Sequence, residues 1–180
     1  SAGCLEAIRD LCASAKYPVI VKETGCGISS GTANRLWGAG VSAIDVGGLG
    51  GTSWAAVEAL RAKDETLAAL GNRFADWGIP TTVSLLEICD RKKPVIATGG
   101  LRSGLDIAKA LSLGATLGGM ALPLLKPAMV SYDSLLAEIE KIQKELRVAM
   151  YLMGATDCRR LQMSRKYVTG LTREMTSNTP

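Results

Sequence analysis

The sequence predicts an α/β fold built on parallel strands, and three observations support that prediction. Four short segments are rich in small and β-branched apolar residues, as parallel strands buried on both faces usually are. Each of them ends at a glycine or a polar residue, and helical segments alternate with them. Such alternation favours right-handed crossovers and one parallel sheet. The predicted strands cover residues 19–22, 43–46, 95–98 and 116–121.

Helical segments precede and separate these strands. They cover residues 4–14, 30–37, 54–62, 104–113 and 132–153. Before the fourth helix, Ser103 and Asp106 have the spacing of a capping box, and Gly114 follows its end. The longest helix has an apolar stripe formed by Leu135, Ile139, Ile142, Leu146, Ala149 and Met153. The gap of residues 54–94 is long enough to hold an additional helical insertion.

Four β/α units are too few for an eight-stranded barrel, which typically needs about 250 residues. The chain has 180 residues and no internal low-complexity linker, so we expect one domain. Two architectures remain open at this stage. One is a small open sheet, and the other is part of a larger parallel (β/α) barrel.

Composition excludes several classes of function. The chain has no histidine, so it cannot form a Ser-His or Cys-His catalytic pair. Its five cysteines are odd in number and widely spaced, which argues against a disulfide framework or a zinc site and favours a cytoplasmic protein with reduced thiols. The net charge of +4 is spread along the chain, so nucleic-acid binding is not expected. No apolar run is long enough to cross a membrane, and residues 1–7 do not resemble a secretory signal.

A phosphate site is indicated where the third predicted strand runs through a glycine turn into a helix, at residues 95–106. Glycine lets the backbone approach a ligand closely and leaves amide N–H groups free near a helix N-terminus. Arg102 adds a cation suited to phosphate, and a second glycine segment, residues 118–122, follows soon after. The alternative is a tight turn with Arg102 as an ordinary surface charge.

Five motifs together resemble type 2 isopentenyl-diphosphate isomerases. The glycine–arginine block is shared with other FMN barrels, whereas the Gly-Gly-Thr-Ser-Trp and Asp-Trp-Gly-Ile-Pro-Thr blocks are more distinctive. The similarity covers nearly the whole chain in the same order. The motifs lie at residues 21–25, 48–54, 76–81, 99–106 and 119–123.

The resemblance implies a TIM-type (β/α) barrel that binds FMN and interconverts isopentenyl and dimethylallyl diphosphate in isoprenoid biosynthesis. It also implies Mg²⁺ for the substrate diphosphate, NADPH as the usual reductant and a tetrameric or octameric homo-oligomer. Reduced flavin is thought to move the proton, so no catalytic side chain is assigned. Residues 1–180 correspond to the C-terminal half of that barrel. The metal-binding glutamate and basic diphosphate-binding residues belong to the N-terminal half, so no metal ligand is assigned here.

The resemblance carries roles over to ten residues. Lys22 matches a lysine beside the flavin ring, where a cation would stabilise negative charge on the N1–O2 edge. The remaining FMN contacts are Gly47, Thr52, Gly100, Leu101, Arg102, Ala121 and Leu122. The expected substrate-side residues are Thr24 and Trp54. Ordinary alternatives stay open: Lys22 could face solvent, Trp54 could serve only packing, and Cys26 could be a loop thiol without a role.

Two other kinds of protein compete with this interpretation. A 2-hydroxy-acid oxidase resembles the block of residues 99–106 but uses a catalytic histidine, and an IMP-dehydrogenase-like enzyme needs a catalytic cysteine loop that Cys26 matches poorly. The second kind is not an enzyme: a half-barrel with two open sheet edges that pairs with itself and catalyses nothing.

Overall fold

A computed structural model describes residues 3–89 and 93–177. The strands in this part of the chain are β1 (Ile20–Lys22), β2 (Ala43–Asp45), β3 (Val95–Ala97) and β4 (Leu117–Gly118). The helices are α1 (Cys4–Ser14), α2 (Ser30–Gly38), α3 (Trp54–Arg61), α4 (Glu65–Arg73), α5 (Thr81–Ile88), α6 (Gly104–Ser112), α7 (Leu122–Val130), α8 (Tyr132–Leu152), α9 (Cys158–Met163) and α10 (Gly170–Ser177).

The strands form one parallel sheet in the order β1-β2-β3-β4, which confirms the predicted α/β class. Ile44 of β2 pairs with Val95 of β3, and Ile96 of β3 pairs with Leu117 of β4. Because all four strands run the same way and are neighbours in sequence order, their carboxyl ends meet along one edge of the sheet. That edge is where open α/β sheets usually bind ligands.

Burial on both faces is found only in the two central strands. The side chains of Ile44, Val95 and Ala97 are almost completely buried and belong to the main hydrophobic cluster. The prediction of uniform burial is wrong for the outer strands, where Ile20 is 54% exposed and Leu117 is 59% exposed. Both lie in strands that have a neighbour on one side only.

The fourth strand is shorter than predicted. Residues 116–121 were expected to be extended, but β4 covers Leu117–Gly118 only. After it, Gly119 N still donates to Ala97 O at 2.8 Å, and Ala121 then becomes the residue that precedes α7. Pro123 lies in the first turn of α7, where proline's fixed φ suits a helix start. The helix therefore replaces the end of the predicted strand.

The long connection between β2 and β3 contains the predicted helical insertion, formed by α3, α4 and α5. Two of these helices begin at side-chain caps: Ser53 accepts from Ala56 N at 3.3 Å, and Asp64 accepts from Leu67 N at 2.9 Å. α5 is the buried member of the three, with Val83 and Leu85 in the core. It supports the sheet directly beneath the residues that follow β3.

The C-terminal helices pack on the layer formed by α6. α8 lies against α6, where Gly104 allows close approach because a Cβ at that position would overlap the backbone of Ile142 and Leu146. α9 also packs on α6, and its Gln162 Nε2 donates to Ala115 O at 2.8 Å. At the start of α9, hydrogen bonds from the backbone, chiefly from Arg160 N, lower the pKa of Asp157. None of the described helices has the length and apolar composition needed to cross a bilayer.

Candidate functional site

A cavity of ≈ 580 Å³ lies at the carboxyl ends of the strands, between the loops that follow them. All ten residues to which the resemblance assigns a role line this one cavity, although they come from all four β/α units. They are Lys22, Thr24, Gly47, Thr52, Trp54, Gly100, Leu101, Arg102, Ala121 and Leu122. The structure therefore brings the predicted set together, while the roles of the individual residues stay predictions.

Two glycine corners, one after β3 and one after β4, both line the cavity. In the first corner Gly99 has φ 103° and Gly100 has φ 85°, a left-handed conformation that favours glycine. The amides of Gly100 and Leu101, and those of Ala121 and Leu122 in the second corner, donate to no acceptor among the described residues. Four free N–H groups thus line a concave surface, which is an arrangement suited to an anion.

Arg102 holds a positive charge at the same end. Its Nη1 donates to Gly100 O at 3.3 Å, and its Nη2 donates to Gly50 O at 3.5 Å. Within residues 3–89 and 93–177 the guanidinium has no carboxylate partner at ion-pair distance. Because these bonds go to neutral carbonyls, the charge of Arg102 is not neutralised and can attract an anion in the cavity.

The N-terminus of α6 is not the source of these free amides, because acidic side chains already occupy it. Asp106 Oδ2 accepts from Arg102 N at 3.1 Å, and Ser103 Oγ accepts from Asp106 N at 3.1 Å. Glu145 of α8 accepts from Gly104 N at 2.7 Å. An anion in the cavity would instead meet the first turn of α7 together with the Gly100–Leu101 amides, where the helix dipole is favourable and unopposed.

The floor of the cavity contains a network that the sequence analysis missed. Lys22 Nζ donates to Asp45 Oδ2 at 2.9 Å and to Thr98 Oγ1 at 2.8 Å. Thr98 Oγ1 in turn donates to Asp45 Oδ1 at 2.5 Å, and Gly47 N donates to the same oxygen at 3.2 Å. The residues stand at or just after the ends of β1, β2 and β3. Asp45 could have been noticed, since a carboxylate inside an otherwise apolar strand requires a partner.

Close backbone contacts fix the shape of the floor. Gly47 has φ 45°, and a Cβ there would overlap the carbonyl of Glu23. A Cβ at Gly100 would overlap the carbonyl of Gly50. Thr81, which the sequence analysis also missed, donates from Oγ1 to Gly99 O at 2.6 Å. The loops after β1, β2 and β3 are therefore joined through backbone atoms, with no room for side chains between them.

The two predicted substrate-side residues lie at the rim. Thr24 is exposed, and Trp54, 53% exposed, is the first residue of α3. Gly25 packs closely against this part of the chain. A Cβ there would overlap Thr52 O and would lie 3.9 Å from the Trp54 ring. Cys26 is exposed nearby but does not line the cavity.

Glu23 and Glu87, two acidic residues of this region, already accept hydrogen bonds from backbone amides. Glu23 Oε2 accepts from Gly25 N at 2.6 Å, from Cys26 N at 2.5 Å and from Gly27 N at 3.1 Å, so it holds the loop after β1. Glu87 Oε2 accepts from Ser30 N at 2.9 Å at the start of α2. Among the residues that the structure describes, no group of three His, Cys, Asp or Glu side chains could hold a metal ion. The donor set therefore does not fit Mg²⁺.

The same cavity does fit a ligand that carries a phosphate at one end and a polar ring at the other. Free amides and Arg102 line one end, whereas Lys22 lies on the floor with its ammonium directed by Asp45 and Thr98. Glycines at positions 47, 51 and 100 keep side chains out of the space between these groups. FMN has this combination of phosphate and ring, so the residues present fit the cofactor that the resemblance implies.

Curated relatives carry the name that the sequence motifs indicated. A protein of Methanoregula boonei called isopentenyl-diphosphate delta-isomerase is 57% identical over 178 residues, covering 96% of this chain and 50% of the relative. Proteins of the same name from Methanococcoides burtonii and Thermococcus kodakarensis are 52% and 48% identical, each over 96% of this chain and over 48% and 46% of their own length. The predicted resemblance is confirmed. The chain spans about half the length of the curated relatives it matches.

Solved structures share the fold at low sequence identity. A mandelate oxidase with bound (S)-mandelic acid is 23% identical with a TM-score of 0.70, over 93% of this chain and 44% of that one. The GMP reductase of Trypanosoma brucei is 22% identical with a TM-score of 0.67, over 94% and 38%. The model of one family, described as FMN-dependent dehydrogenase, matches residues 2–168. A match over nearly the whole sequence shows that this chain belongs to the FMN-dependent dehydrogenase family.

Proposed function

We propose that this chain is the FMN-phosphate-binding half of an isopentenyl-diphosphate delta-isomerase, an enzyme that interconverts isopentenyl and dimethylallyl diphosphate. The observation that carries the proposal is the convergence of two glycine corners and Arg102 on one end of a single cavity. The names of relatives at 47–57% identity support the choice of the isomerase among the members of the family.

The phosphate of FMN would be bound by the amides of Gly100, Leu101, Ala121 and Leu122. These amides have no acceptor among the described residues, and the residues that carry them line the cavity, so no internal hydrogen bond has to break first. Arg102 would add a charge-assisted hydrogen bond, the stronger kind. Preorganised donors of this type bind an anion without the cost of first breaking internal bonds.

The ring of FMN would lie over the floor, with Lys22 near its pyrimidine edge, and Gly47 and Thr52 at its side. A cation at that edge stabilises negative charge on the ring. Reduced flavin would supply the proton donor and acceptor, which suits a chain without histidine. Thr24 and Trp54, at the rim, would contact the substrate and exclude water from it.

The remaining requirements of the reaction would be met outside these residues. The carboxylates beside the cavity are occupied by backbone amides, so we infer that the Mg²⁺ ligands and the basic residues for the substrate diphosphate come from another part of the enzyme. NADPH as reductant, a tetrameric or octameric assembly and a cytoplasmic location rest on the resemblance alone.

The architecture that accommodates both parts is an eight-stranded (β/α) barrel of which residues 1–180 form the C-terminal half. Three facts support it: the sheet has four parallel strands in sequence order, its two outer strands are open, and the relatives are about twice as long as the chain. Four further β/α units would complete a barrel of eight.

Complementation tests this proposal directly. The part of the Methanoregula boonei relative that this chain does not match would be produced separately, mixed with the chain, and supplied with FMN, NADPH, Mg²⁺ and isopentenyl diphosphate. We expect a flavin-containing complex that forms dimethylallyl diphosphate, measured by chromatography of the products. The chain carrying Arg102→Ala serves as the matched control and should yield a complex with less flavin.

The outcome also separates the competing functions. Formation of hydrogen peroxide from a 2-hydroxy acid, with no isomerisation, would favour an oxidase. A folded complex that retains no flavin at any FMN concentration would contradict both enzymatic readings and favour the half-barrel that only pairs.

A further inference from the structure

The network on the cavity floor suggests a role for two residues that no motif identified. Asp45 is 7% exposed and receives three hydrogen bonds, from Lys22 Nζ, Thr98 Oγ1 and Gly47 N. A buried carboxylate of this kind is costly unless it is paired and fully hydrogen-bonded, and here both of its oxygens are used.

The hydrogen bonds of the network permit one arrangement of protons. An ionised Asp45 can only accept, so the Thr98 hydroxyl must donate to it. The lone pairs of that hydroxyl are then left to accept from Lys22, at 2.8 Å. The ammonium of Lys22 then donates to both Asp45 and Thr98. Each bond determines the next, which makes the orientation of the ammonium group unique.

This arrangement leaves one N–H of Lys22 unused. An ammonium has three donors, and Asp45 and Thr98 take two of them. The side chain of Lys22 is 53% exposed and lines the cavity, so its open side faces the space where a ligand would bind. A free lysine would sample many positions on its flexible four-carbon stem, whereas this one is held from below.

We propose that Asp45 and Thr98 are positioning residues for Lys22, holding its ammonium so that the third N–H points into the cavity at the ring edge of the bound flavin. This inference rests on the proposed function for the identity of the ligand, but the network itself belongs to the chain alone. In this role Asp45 and Thr98 act through Lys22, although both also line the cavity.

Lysine acetylation measures the network in the unliganded chain. Only a deprotonated amine, whose lone pair is free, attacks the carbonyl carbon of an acylating reagent, so a lysine held as a charged double donor should react slowly. We expect Lys22 to be acetylated more slowly than Lys144, an exposed lysine of α8 without a carboxylate partner among the described residues. Rates at both sites would be read from one sample by peptide mass spectrometry.

Three substitutions then separate positioning from general stability. Asp45→Asn should raise the rate at Lys22 about tenfold, because it removes a hydrogen bond between charged groups. Thr98→Val should raise it about threefold through loss of a neutral acceptor, and Thr98→Ser, which keeps the hydroxyl, should restore the original rate. The acetylation rate of Lys144 should be the same in all three variants. A loosening of the whole fold would instead raise the rates at both lysines together.

The flavin part of the inference is tested in the complemented enzyme. There FMN should protect Lys22 from acetylation, and Thr98→Val should weaken the binding of reduced FMN severalfold more than that of oxidised FMN. A further outcome is that FMN fails to protect Lys22 while the variants still change the acetylation rate of Lys22 in the chain alone. That result would overturn the flavin assignment but not the network.

Unchanged acetylation of Lys22 in both Asp45→Asn and Thr98→Val would overturn the positioning role itself. If Asp45→Asn does not fold, as circular dichroism would reveal, Thr98→Val and its serine counterpart decide the question, because they leave the buried carboxylate in place.

Discussion

At the scale of single residues, Arg102 provides the clearest separation of binding from folding. Among the described residues its guanidinium donates to two carbonyl oxygens, at 3.3 and 3.5 Å, and its side chain is exposed. Replacing it by alanine should weaken FMN binding about tenfold, while the free energy of unfolding changes by less than about 0.5 kcal/mol. Flavin titration of the complemented enzyme and urea unfolding of the chain measure the two quantities.

The control for this prediction is Arg61→Ala, which removes another exposed arginine, whose partner is Glu58 on the same helix. It should alter neither quantity. Wild-type flavin affinity in Arg102→Ala would show that the phosphate assignment is wrong.

A second residue-scale prediction concerns glycine. Gly100→Ala should lower the free energy of unfolding by about 1–3 kcal/mol, since φ is 85° there and the new Cβ would overlap Gly50 O. Gly31→Ala is the matched substitution: it lies in α2, has no atom within 4 Å of the added Cβ, and should stabilise the chain by up to about 1 kcal/mol. Thermal and urea unfolding of both variants test the pair. Equal effects would contradict the tight contact between the loops.

The site residues that could be predicted from the sequence are those that lie in recognisable motifs. Gly100, Arg102 and Thr52 lie in motifs whose order matches a known family, and the structure brings them to one cavity. Asp45 and Thr98 lie inside or next to apolar strands, where they resemble ordinary strand residues. Only the register of three strands brings them within hydrogen-bonding distance of Lys22. The register between strands cannot be deduced from the sequence of any one of them.

At the scale of helices and strands, Glu145 links α8 to the first turn of α6. Its carboxylate accepts from Gly104 N at 2.7 Å, in the first turn of α6, where negative charge is favourable. Glu145→Ala should cost about 1 kcal/mol of unfolding free energy, and Glu145→Gln should recover most of it because the amide oxygen still accepts. Glu140→Ala, an exposed position on the same helix, is the control for lost helix propensity.

Urea unfolding followed by circular dichroism gives the comparison. A loss in Glu145→Ala no larger than that in Glu140→Ala would mean that this contact does not stabilise the helix pair.

The elements that were predicted well are those with an uninterrupted apolar signal or a clear cap. β2 and β3 each end one residue before the predicted bound, and α6 begins at the predicted residue because Ser103 caps it. α7 was missed, since two prolines obscure its helical character, although the first is at a position where proline is favoured. α4 was not predicted as a separate helix. Its Leu67 and Leu70 are largely exposed, so the helix lacks the broad apolar face that marks a buried helix in a sequence.

At the scale of the whole molecule, the chain by itself should bind FMN weakly or not at all. The cavity is lined on one side by loops of four β/α units, so contacts to the opposite side of the ring are not supplied. Flavin absorbance of the chain after gel filtration in the presence of FMN measures this. A bright yellow chain that retains its flavin would contradict the half-barrel proposal.

The parallel α/β class could be predicted from the sequence because alternation of strands and helices has few solutions. Burial of the outer strands could not, since it depends on what lies beyond each edge. Ile20 and Leu117 have the composition of buried strand residues, yet both are more than half exposed. Local composition describes what a strand can pack against and does not reveal whether a neighbour is present.

The closely packed glycines at the cavity floor limit which substitutions this site can accept during evolution. Gly47 touches the loop after β1, and Gly100 touches the loop after β2, each at a distance that excludes a methyl group. A first substitution at either position meets the backbone of another loop, so it is harmful before any second change can compensate. Random mutagenesis should therefore recover variation at the rim, around Thr24 and Trp54, long before it recovers any at the floor. Changes in the lining of the cavity would therefore accumulate at the rim, while the backbone contacts of the floor stay fixed.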